Sequence, residues 1–205
     1  NTVFQNPDRI SHNHSILLNQ INTGILPFSL PLPIPNIKGE LFTVFEGDYF
    51  RISPFVKGRC INEVNSTFQA YLAAKAFAQF IQAGIGIDPG LFQEVIPGFN
   101  DLELRYNQLL EALSTTKREI TGELKELLDF YLSQKDLVDE YLYWKKKLPL
   151  RLTHNDTKIN NLIFSEDLSK VEAVIDLDTL MAGYVFYDFG DLVRTVACTE
   201  GESST

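Results

Sequence analysis

The hydrophobic and polar positions in the first quarter of the chain predict a helix, a connector and a hairpin. Apolar residues recur at helical spacing over 7–23, the span of the first predicted helix. Four prolines within the segment 27–35 predict an extended connector, because proline fixes φ and lacks an amide donor. Two β-rich runs, 41–46 and 49–53, flank Gly47-Asp48 and predict a β-hairpin.

Helical patterns dominate the next hundred residues. Ser66 is placed to cap an amphipathic helix, and the glycine-containing segment 83–87 ends it. Two further amphipathic helices are predicted over 102–113 and 119–147, the second long and charged and ended by Pro149. This part of the chain is therefore expected to be mostly α-helical.

The pattern changes again after Leu150. A short apolar run at 162–164, a turn and a second run at 171–175 predict a small hairpin with polar residues on both sides of it. Short hairpins combined with many helices predict an α+β fold. The stiff-then-flexible segment 54–58 marks a boundary between a β-containing part and a helical part.

Composition excludes several classes of protein. With 205 residues, 44% hydrophobic and 22% charged, the chain is neither disordered, nor collagen-like, nor a disulfide scaffold. Its formal net charge of −9 argues against a nucleic-acid partner, which would need a basic surface. Cys60 and Cys198 form no C-x-x-C motif and suit a reducing cytoplasm. The sequence has no apolar run of about 18 residues, so we expect no membrane association.

The segments His154–Asn161 and Ile175–Asp178 carry the chemistry. An aspartate, an asparagine five residues later and another aspartate after an apolar hairpin is the arrangement of a kinase catalytic loop. Phosphoryl transfer requires a carboxylate that orients the attacking hydroxyl and takes its proton, and Asp156 suits that role. It also requires oxygen ligands for Mg²⁺, which Asn161 and Asp176 can supply.

These segments, together with Tyr187–Asp191, resemble the aminoglycoside phosphotransferase and choline kinase superfamily. Within it, Thr153–Asn161, Val174–Thr179 and Phe186–Arg194 look closest to the N-acetylhexosamine 1-kinase branch. The resemblance covers most of the chain. It implies a protein-kinase-like, two-lobed fold with ATP bound in the cleft between the lobes.

The resemblance also implies how the chain is divided. Residues 1–53 would be a partial N-terminal lobe, 54–58 the hinge, and 59–205 a helical catalytic lobe truncated at its end. The family's Gly-rich loop and phosphate-binding lysine would precede Asn1, and acceptor contacts would continue after Thr205. A fragment without these parts can itself be inactive.

Further roles follow from the same resemblance. The hinge residues Ser53, Phe55 and Val56 would receive the adenine edge of ATP. Asp156 would be the catalytic base, and the Lys158 ammonium would steady the transferring phosphoryl group. Asn161 and Asp176 would then be the magnesium ligands.

Four more residues are expected around this centre. Asp178 would either join the metal site or bind a hydroxyl of the acceptor. Arg194 is a candidate acceptor contact, although an ion pair with Asp191 one helix turn away is the favoured alternative. His154 is expected to orient the loop rather than transfer a proton. Asp188 would brace the catalytic loop, or simply cap a helix at Phe189.

One departure from the family lies in the first helix. It carries no glutamate to pair with the phosphate-binding lysine, and His12, Asn13 and His14 stand there instead. No cysteine, glutamate or third histidine lies near them in a zinc-binding pattern. We interpret these three residues as an ordinary helix face.

The sequence therefore predicts an ATP- and Mg²⁺-dependent kinase that phosphorylates a hydroxyl of a small molecule. The favoured acceptor is a sugar, through the anomeric hydroxyl of an N-acetylhexosamine. Choline, homoserine or an aminoglycoside is the alternative acceptor. A catalytically dead kinase fold that serves as a binding module is the alternative from another functional class. The oligomeric state is left open.

Overall fold

The computed structural model describes residues 6–197, which form six α-helices and three two-stranded antiparallel sheets. This composition confirms the predicted α+β class. The helices are α1 (Pro7–Gln20), α2 (Thr67–Ala83), α3 (Leu102–Thr115), α4 (Gly122–Ser133), α5 (Lys135–Lys147) and α6 (Val185–Ala197). The strands are β1 (Thr43–Phe45), β2 (Asp48–Phe50), β3 (Arg151–Thr153), β4 (Leu162–Phe164), β5 (Val171–Val174) and β6 (Met181–Gly183).

The chain divides into two compact units, Asn1–Ile96 with Leu150–Thr205, and Pro97–Pro149. The first unit contains all three sheets and helices α1, α2 and α6. The second consists of helices α3, α4 and α5. The lobe boundary at 54–58 does not coincide with the division between these two units, and it stays a prediction. None of the helices within residues 6–197 is both long enough and apolar enough to cross a bilayer.

The first hairpin is shorter than predicted, and its turn lies one residue earlier. Glu46 and Gly47 both have positive φ, at 52° and 86°, as a two-residue type I′ turn requires. Asp48 is therefore already in β2, where it pairs with Phe45 of β1. Every residue of both strands is exposed on this hairpin.

Helix α2 packs beneath the strands that carry the catalytic segments. Ser66 caps it as predicted, with its hydroxyl accepting a hydrogen bond from the Gln69 amide at 3.2 Å. Phe77 and Phe80 of this helix are buried in one cluster with residues from β3, β4 and β5. Burial of these apolar side chains fixes both short sheets against α2.

The predicted hairpin after the catalytic loop is confirmed as β4 and β5, with Leu162 paired to Val174. Two outer segments pair with it. Ser29 of the proline-rich connector bridges to Ala173, and Arg59 bridges to Phe164. Gly58 allows the segment that carries Arg59 to lie this close to β4, because a Cβ at position 58 would lie 2.2 Å from the Phe164 carbonyl oxygen.

In the second unit, the single helix predicted over 119–147 is two helices, α4 and α5. Gln134 separates them with φ −84° and ψ 19°, and its amide donates to the Tyr131 carbonyl three residues back. The prediction was wrong because the apolar pattern continues through this point without glycine or proline. Tyr106 of α3 donates to the Leu132 carbonyl, which ties α3 to the end of α4.

Candidate active site

The segment between β3 and β4 carries Asp156, and buried side chains hold it in place through hydrogen bonds. The Thr153 hydroxyl donates to the Met181 carbonyl at 3.0 Å. Asn155 has a positive φ of 65°, and its side-chain amide donates to the carbonyls of Thr153 and Thr179. Asparagine tolerates this left-handed conformation better than most residues do. These hydrogen bonds fix the backbone that immediately precedes Asp156.

Asp188 braces this segment through its backbone. The carboxylate accepts hydrogen bonds from the amides of His154 at 2.9 Å and Asn155 at 2.7 Å. The Thr157 hydroxyl donates to the Asp188 carbonyl at 2.6 Å. Helix α6 begins at Val185, so Asp188 lies within its first turn and does not cap a helix at Phe189. Burial raises the pKa of Asp188, whereas the two amide donors favour its ionised form.

His154 joins the catalytic segment to the residue before Asp176. Its Nε2 donates to the Ile175 carbonyl at 2.9 Å, and the ring meets the edges of Phe77 and Phe80. The residue is 0% exposed, and its Nδ1 has no hydrogen-bond partner. A fully buried imidazole cannot exchange protons with an acceptor in solution. This geometry favours the orienting role over proton transfer.

Asp156 lies between an amide and an ammonium. The Asn161 side-chain nitrogen donates to the Asp156 main-chain oxygen at 2.8 Å and to its Oδ2 at 2.9 Å. Lys158 Nζ lies 3.2 Å from Oδ1 of the same carboxylate. The structure thus brings together the predicted base, the predicted phosphoryl-steadying lysine and one predicted magnesium ligand.

Asp176 lies next to this group. The Ile175 amide donates to the Asn161 carbonyl at 2.9 Å, which brings the two predicted metal ligands onto adjacent backbone segments. Asp176 adopts the left-handed conformation, with φ 57° and ψ 56°, a strained backbone region that recurs at functional sites. Burial raises the pKa of Asp176, and the carboxylates of Asp178 and Asp156 raise it further.

This donor set fits a magnesium ion. Carboxylates that disfavour each other's ionised form are stabilised by a cation, and Asn161 and Asp176 offer the hard oxygen ligands that Mg²⁺ prefers. Residues 6–197 contain no group of three or more histidine, cysteine, aspartate or glutamate side chains arranged to hold a metal. An ion with two protein ligands, which keeps several waters, is consistent with that finding.

A cavity of about 380 Å³ connects the predicted hinge to Asp176. Ser53, Phe55 and Val56 line one part of it, so the structure brings the predicted adenine-binding residues and this carboxylate to one space. The remaining lining is mostly apolar, as a purine ring requires. It comprises His14, Pro31, Leu32, Pro33, Arg51, Pro54, Ile163, Ile175, Leu177 and Asp178.

Asp178 contacts a partner that the sequence did not indicate. Arg51 binds it through two parallel hydrogen bonds, with Nη1 at 2.5 Å from Oδ1 and Nη2 at 2.9 Å from Oδ2. His14 Nε2 lies 3.8 Å from the same Oδ1. Both carboxylate oxygens are therefore engaged by this chain's own residues.

Arg194 lies on an exposed face of α6. Its Nη2 is 2.8 Å and its Nε 3.2 Å from Oδ1 of Asp191, the ion pair that the sequence favoured. Arg194 is not among the residues that line the 380 Å³ cavity. That cavity is the predicted nucleotide site, so the role of Arg194 as a candidate acceptor contact stays a prediction.

The interpretation of His12, Asn13 and His14 as an ordinary helix face was wrong for two of the three. Asn13 and His14 are 1% and 3% exposed and point into the core, and burial lowers the pKa of His14. A signal was present in the sequence. Together with Ile10 and Leu17 they follow the i, i+3, i+4, i+7 spacing of a buried stripe. Arg51 had no comparable signal, because its partner is 127 residues away.

Solved structures of aminoglycoside phosphotransferases share this fold. The GDP and kanamycin complex of APH(2")-IIia matches with a TM-score of 0.62 at 15% identity, covering 91% of this chain and 62% of that one. The aminoglycoside phosphotransferase from Alicyclobacillus acidocaldarius subsp. acidocaldarius matches at 0.60 and 14%, covering 93% and 59%. Spectinomycin phosphotransferase APH(9)-Ia, in complex with ADP and spectinomycin, matches at 0.53 and 19%, covering 90% and 57%.

The chain spans about three fifths of the length of these structures. At such low identity the likeness establishes the fold alone, and it confirms the predicted protein-kinase-like architecture. Family membership rests on the sequence. The profile of the phosphotransferase enzyme family, APH, matches residues 24–204, which contain both catalytic segments and the predicted hinge. This chain belongs to the phosphotransferase enzyme family.

Proposed function

We propose that the protein is an ATP- and Mg²⁺-dependent kinase that phosphorylates a hydroxyl group of a small molecule. The observation that carries this proposal is the arrangement of Asp156, Asn161 and Lys158. A carboxylate is fixed between an amide and an ammonium, and Asp176, on the adjacent backbone segment, lines a cavity that reaches the hinge. Proton acceptor, charge-neutralising groups and nucleotide space are the parts that phosphoryl transfer needs.

Asp156 acts as the base in this proposal. Its Oδ2 is held by Asn161, so the carboxylate has a fixed orientation toward an incoming hydroxyl. As the hydroxyl oxygen attacks the γ-phosphorus, its proton passes to Asp156 and ADP departs with the bond electrons. Lys158 stays close enough to offset negative charge on the transferring group.

The nucleotide would occupy the cavity, with its base near Ser53, Phe55 and Val56. Asn161 and Asp176 would hold Mg²⁺, which neutralises charge on the phosphates when bound. Solved relatives contain GDP, ADP or ATP, which supports nucleotide binding at the corresponding place in this chain. ATP remains the proposed donor.

For the acceptor, the motif resemblance favours the anomeric hydroxyl of an N-acetylhexosamine. Solved relatives in complex with kanamycin, gentamicin and spectinomycin favour an aminoglycoside instead. Choline and homoserine are further alternatives. The catalytically dead binding module is disfavoured, since Asp156, Asn161 and Asp176 are all present and brought together.

A cytoplasmic location stays a prediction that rests on cysteine usage.

The test is ³¹P NMR of the full-length protein with Mg-ATP and a panel of N-acetylhexosamines, aminoglycosides, choline and homoserine. We expect one acceptor to give a new phosphate-ester signal, which for the favoured acceptor is a sugar 1-phosphate. The Asp156→Asn variant should lose at least ~10²-fold of turnover while binding nucleotide normally.

A matched control is Asp129→Asn, which changes an exposed aspartate that pairs with Lys125 on α4. Its turnover should equal that of the parent, because exposed ion pairs contribute little. An Asp156→Asn variant as active as this control would refute Asp156 as the base. If no acceptor in the panel is phosphorylated although nucleotide binds, the result would favour either an acceptor outside the panel or the binding module.

A further inference from the structure

Two buried side chains of α1 hold the segment that follows Asp176. His14 Nε2 donates to the Leu177 carbonyl at 3.0 Å, and the Asn13 amide donates to the Leu180 carbonyl at 2.8 Å. Asn13 is itself fixed, because it exchanges two hydrogen bonds with the backbone of Gln93, at 2.7 and 2.8 Å. Helix α1 therefore contacts the first residue of the single turn Leu177–Thr179 and the residue that follows the turn.

Arg51 also holds this turn, at a residue that lies between the two carbonyls contacted by α1. Its guanidinium forms a bidentate pair with Asp178, the middle residue of the turn. Bidentate pairing restricts orientation as well as distance, which a single ammonium contact does not. Arg51 and Asp178 are both in the lining of the cavity, and their side chains are 41% and 14% exposed.

We propose that Arg51 and Asp178, together with His14 and Asn13, position Asp176 for the magnesium–nucleotide complex. This inference rests on the proposed function. Asp176 lies at the start of the turn with a left-handed backbone, and its side chain does not cap the turn, so its place depends on how the turn is held. Arg51 and Asp178 are thus positioning residues, and Asp178 is a partner of Arg51 rather than a metal ligand.

An alternative role for Arg51 is direct contact with the nucleotide phosphates, and one measurement separates the two. A residue that touches the nucleotide contributes to its affinity with or without metal. A residue that positions Asp176 contributes only to the gain in affinity that Mg²⁺ brings. ADP binding to the full-length protein should therefore be measured by calorimetry in Mg²⁺ and in EDTA.

For Arg51→Ala we expect an unchanged ADP affinity in EDTA and a Mg²⁺-dependent gain reduced about tenfold, the scale of one charge-assisted hydrogen-bond pair. Asp178→Asn should behave likewise, and the double variant should be no weaker than the weaker single variant. Arg51→Lys keeps the charge without the planar fork and should recover only part of the gain.

The control is Lys170→Gln, which breaks an ion pair of 2.9 Å with Glu172 on the β4–β5 hairpin. It should match the parent in both buffers, and equal melting temperatures would show that all variants are folded. The positioning role alone would be overturned if Arg51→Ala bound ADP more weakly than the parent in EDTA. It would also be overturned if Mg²⁺ raised the ADP affinity of this variant as much as it raises that of the parent. A parent protein whose ADP affinity ignores Mg²⁺ would instead overturn the proposed metal chemistry, and the positioning role with it.

Discussion

The side-chain nitrogen of Asn161 donates to both the main-chain oxygen and Oδ2 of Asp156, at 2.8 and 2.9 Å. These two bonds engage the amide nitrogen, so the amide oxygen of Asn161 takes no part in holding Asp156. One residue can therefore orient the proposed base with its nitrogen and bind Mg²⁺ with its oxygen. This double use ties the position of the base to that of the metal.

Asn161→Asp separates the two uses. The variant keeps an oxygen ligand for Mg²⁺ but replaces the two donors with a carboxylate that faces Asp156. We expect Mg²⁺-dependent ADP binding to persist, while kcat falls roughly ten- to hundredfold, the scale of a lost charged hydrogen bond. Calorimetry measures the Mg²⁺-dependent ADP binding, and steady-state kinetics measures kcat. Equal losses in binding and kcat would show that the amide nitrogen has no separate role.

Asp176→Asn should stabilise the protein while removing its response to magnesium. The pKa of Asp176 is higher in the folded protein than its ordinary value of 3.8, because burial and two carboxylates disfavour its ionised form. Between these two pKa values the folded state binds more protons than the unfolded state, so this residue's contribution lowers stability as pH rises. Asparagine tolerates the left-handed backbone equally well and avoids that cost.

Urea unfolding in EDTA checks this prediction. At pH 7 the asparagine variant should have the higher free energy of unfolding, and its advantage should shrink as pH falls toward 3.8. With Mg²⁺ and ADP added, only the parent should gain stability, because only its folded state binds the ion well. A variant less stable than the parent at pH 7 would contradict the claim that folding disfavours the ionised form of the Asp176 carboxylate.

Asp188→Ala should destabilise the protein by roughly 2–5 kcal/mol, because it leaves the buried amides of His154 and Asn155 without an acceptor. The matched control is Asp191→Ala on the same helix, whose partner Arg194 is exposed. That change should cost at most about 1 kcal/mol. Urea unfolding of both variants measures the difference. Similar values for the two would refute the bracing role of Asp188.

Gly183→Ala should destabilise the catalytic segment, because a Cβ there would lie 2.4 Å from Oγ1 of Thr153 and 3.2 Å from Oδ1 of Asn155. Relieving this overlap should cost about 1–3 kcal/mol and lower kcat. Gly190→Ala in α6 is the matched control, since nothing lies within 4 Å of its Cβ position. Alanine there should stabilise the helix by about 0.5–1 kcal/mol. Thermal unfolding of the two variants should therefore shift in opposite directions.

Local signals predicted the elements of the fold well. The cap at Ser66, the hairpin glycine at 47 and the apolar run at 162–164 each act within a few residues, so their structural consequences can be read along the chain. Some errors arose where local signals were silent, whereas the buried positions of Asn13 and His14 had a signal that the interpretation overlooked. Gln134 interrupts a helix without glycine or proline, and Asp188 lies inside a helix that begins three residues earlier at Val185.

The residues of the proposed site could also be predicted from the sequence, since the spacing of Asp156, Asn161 and Asp176 matches the arrangement of a kinase catalytic loop. The surroundings of those atoms were decided only by the tertiary structure. Arg51 and Asp178 are 127 residues apart, and His14 reaches a carbonyl 163 residues away. Long-range packing brought these groups together, and no periodicity records a contact between distant segments. The sequence alone determined which side chains are available for the proposed phosphoryl transfer, and folding decided which residues hold them in place.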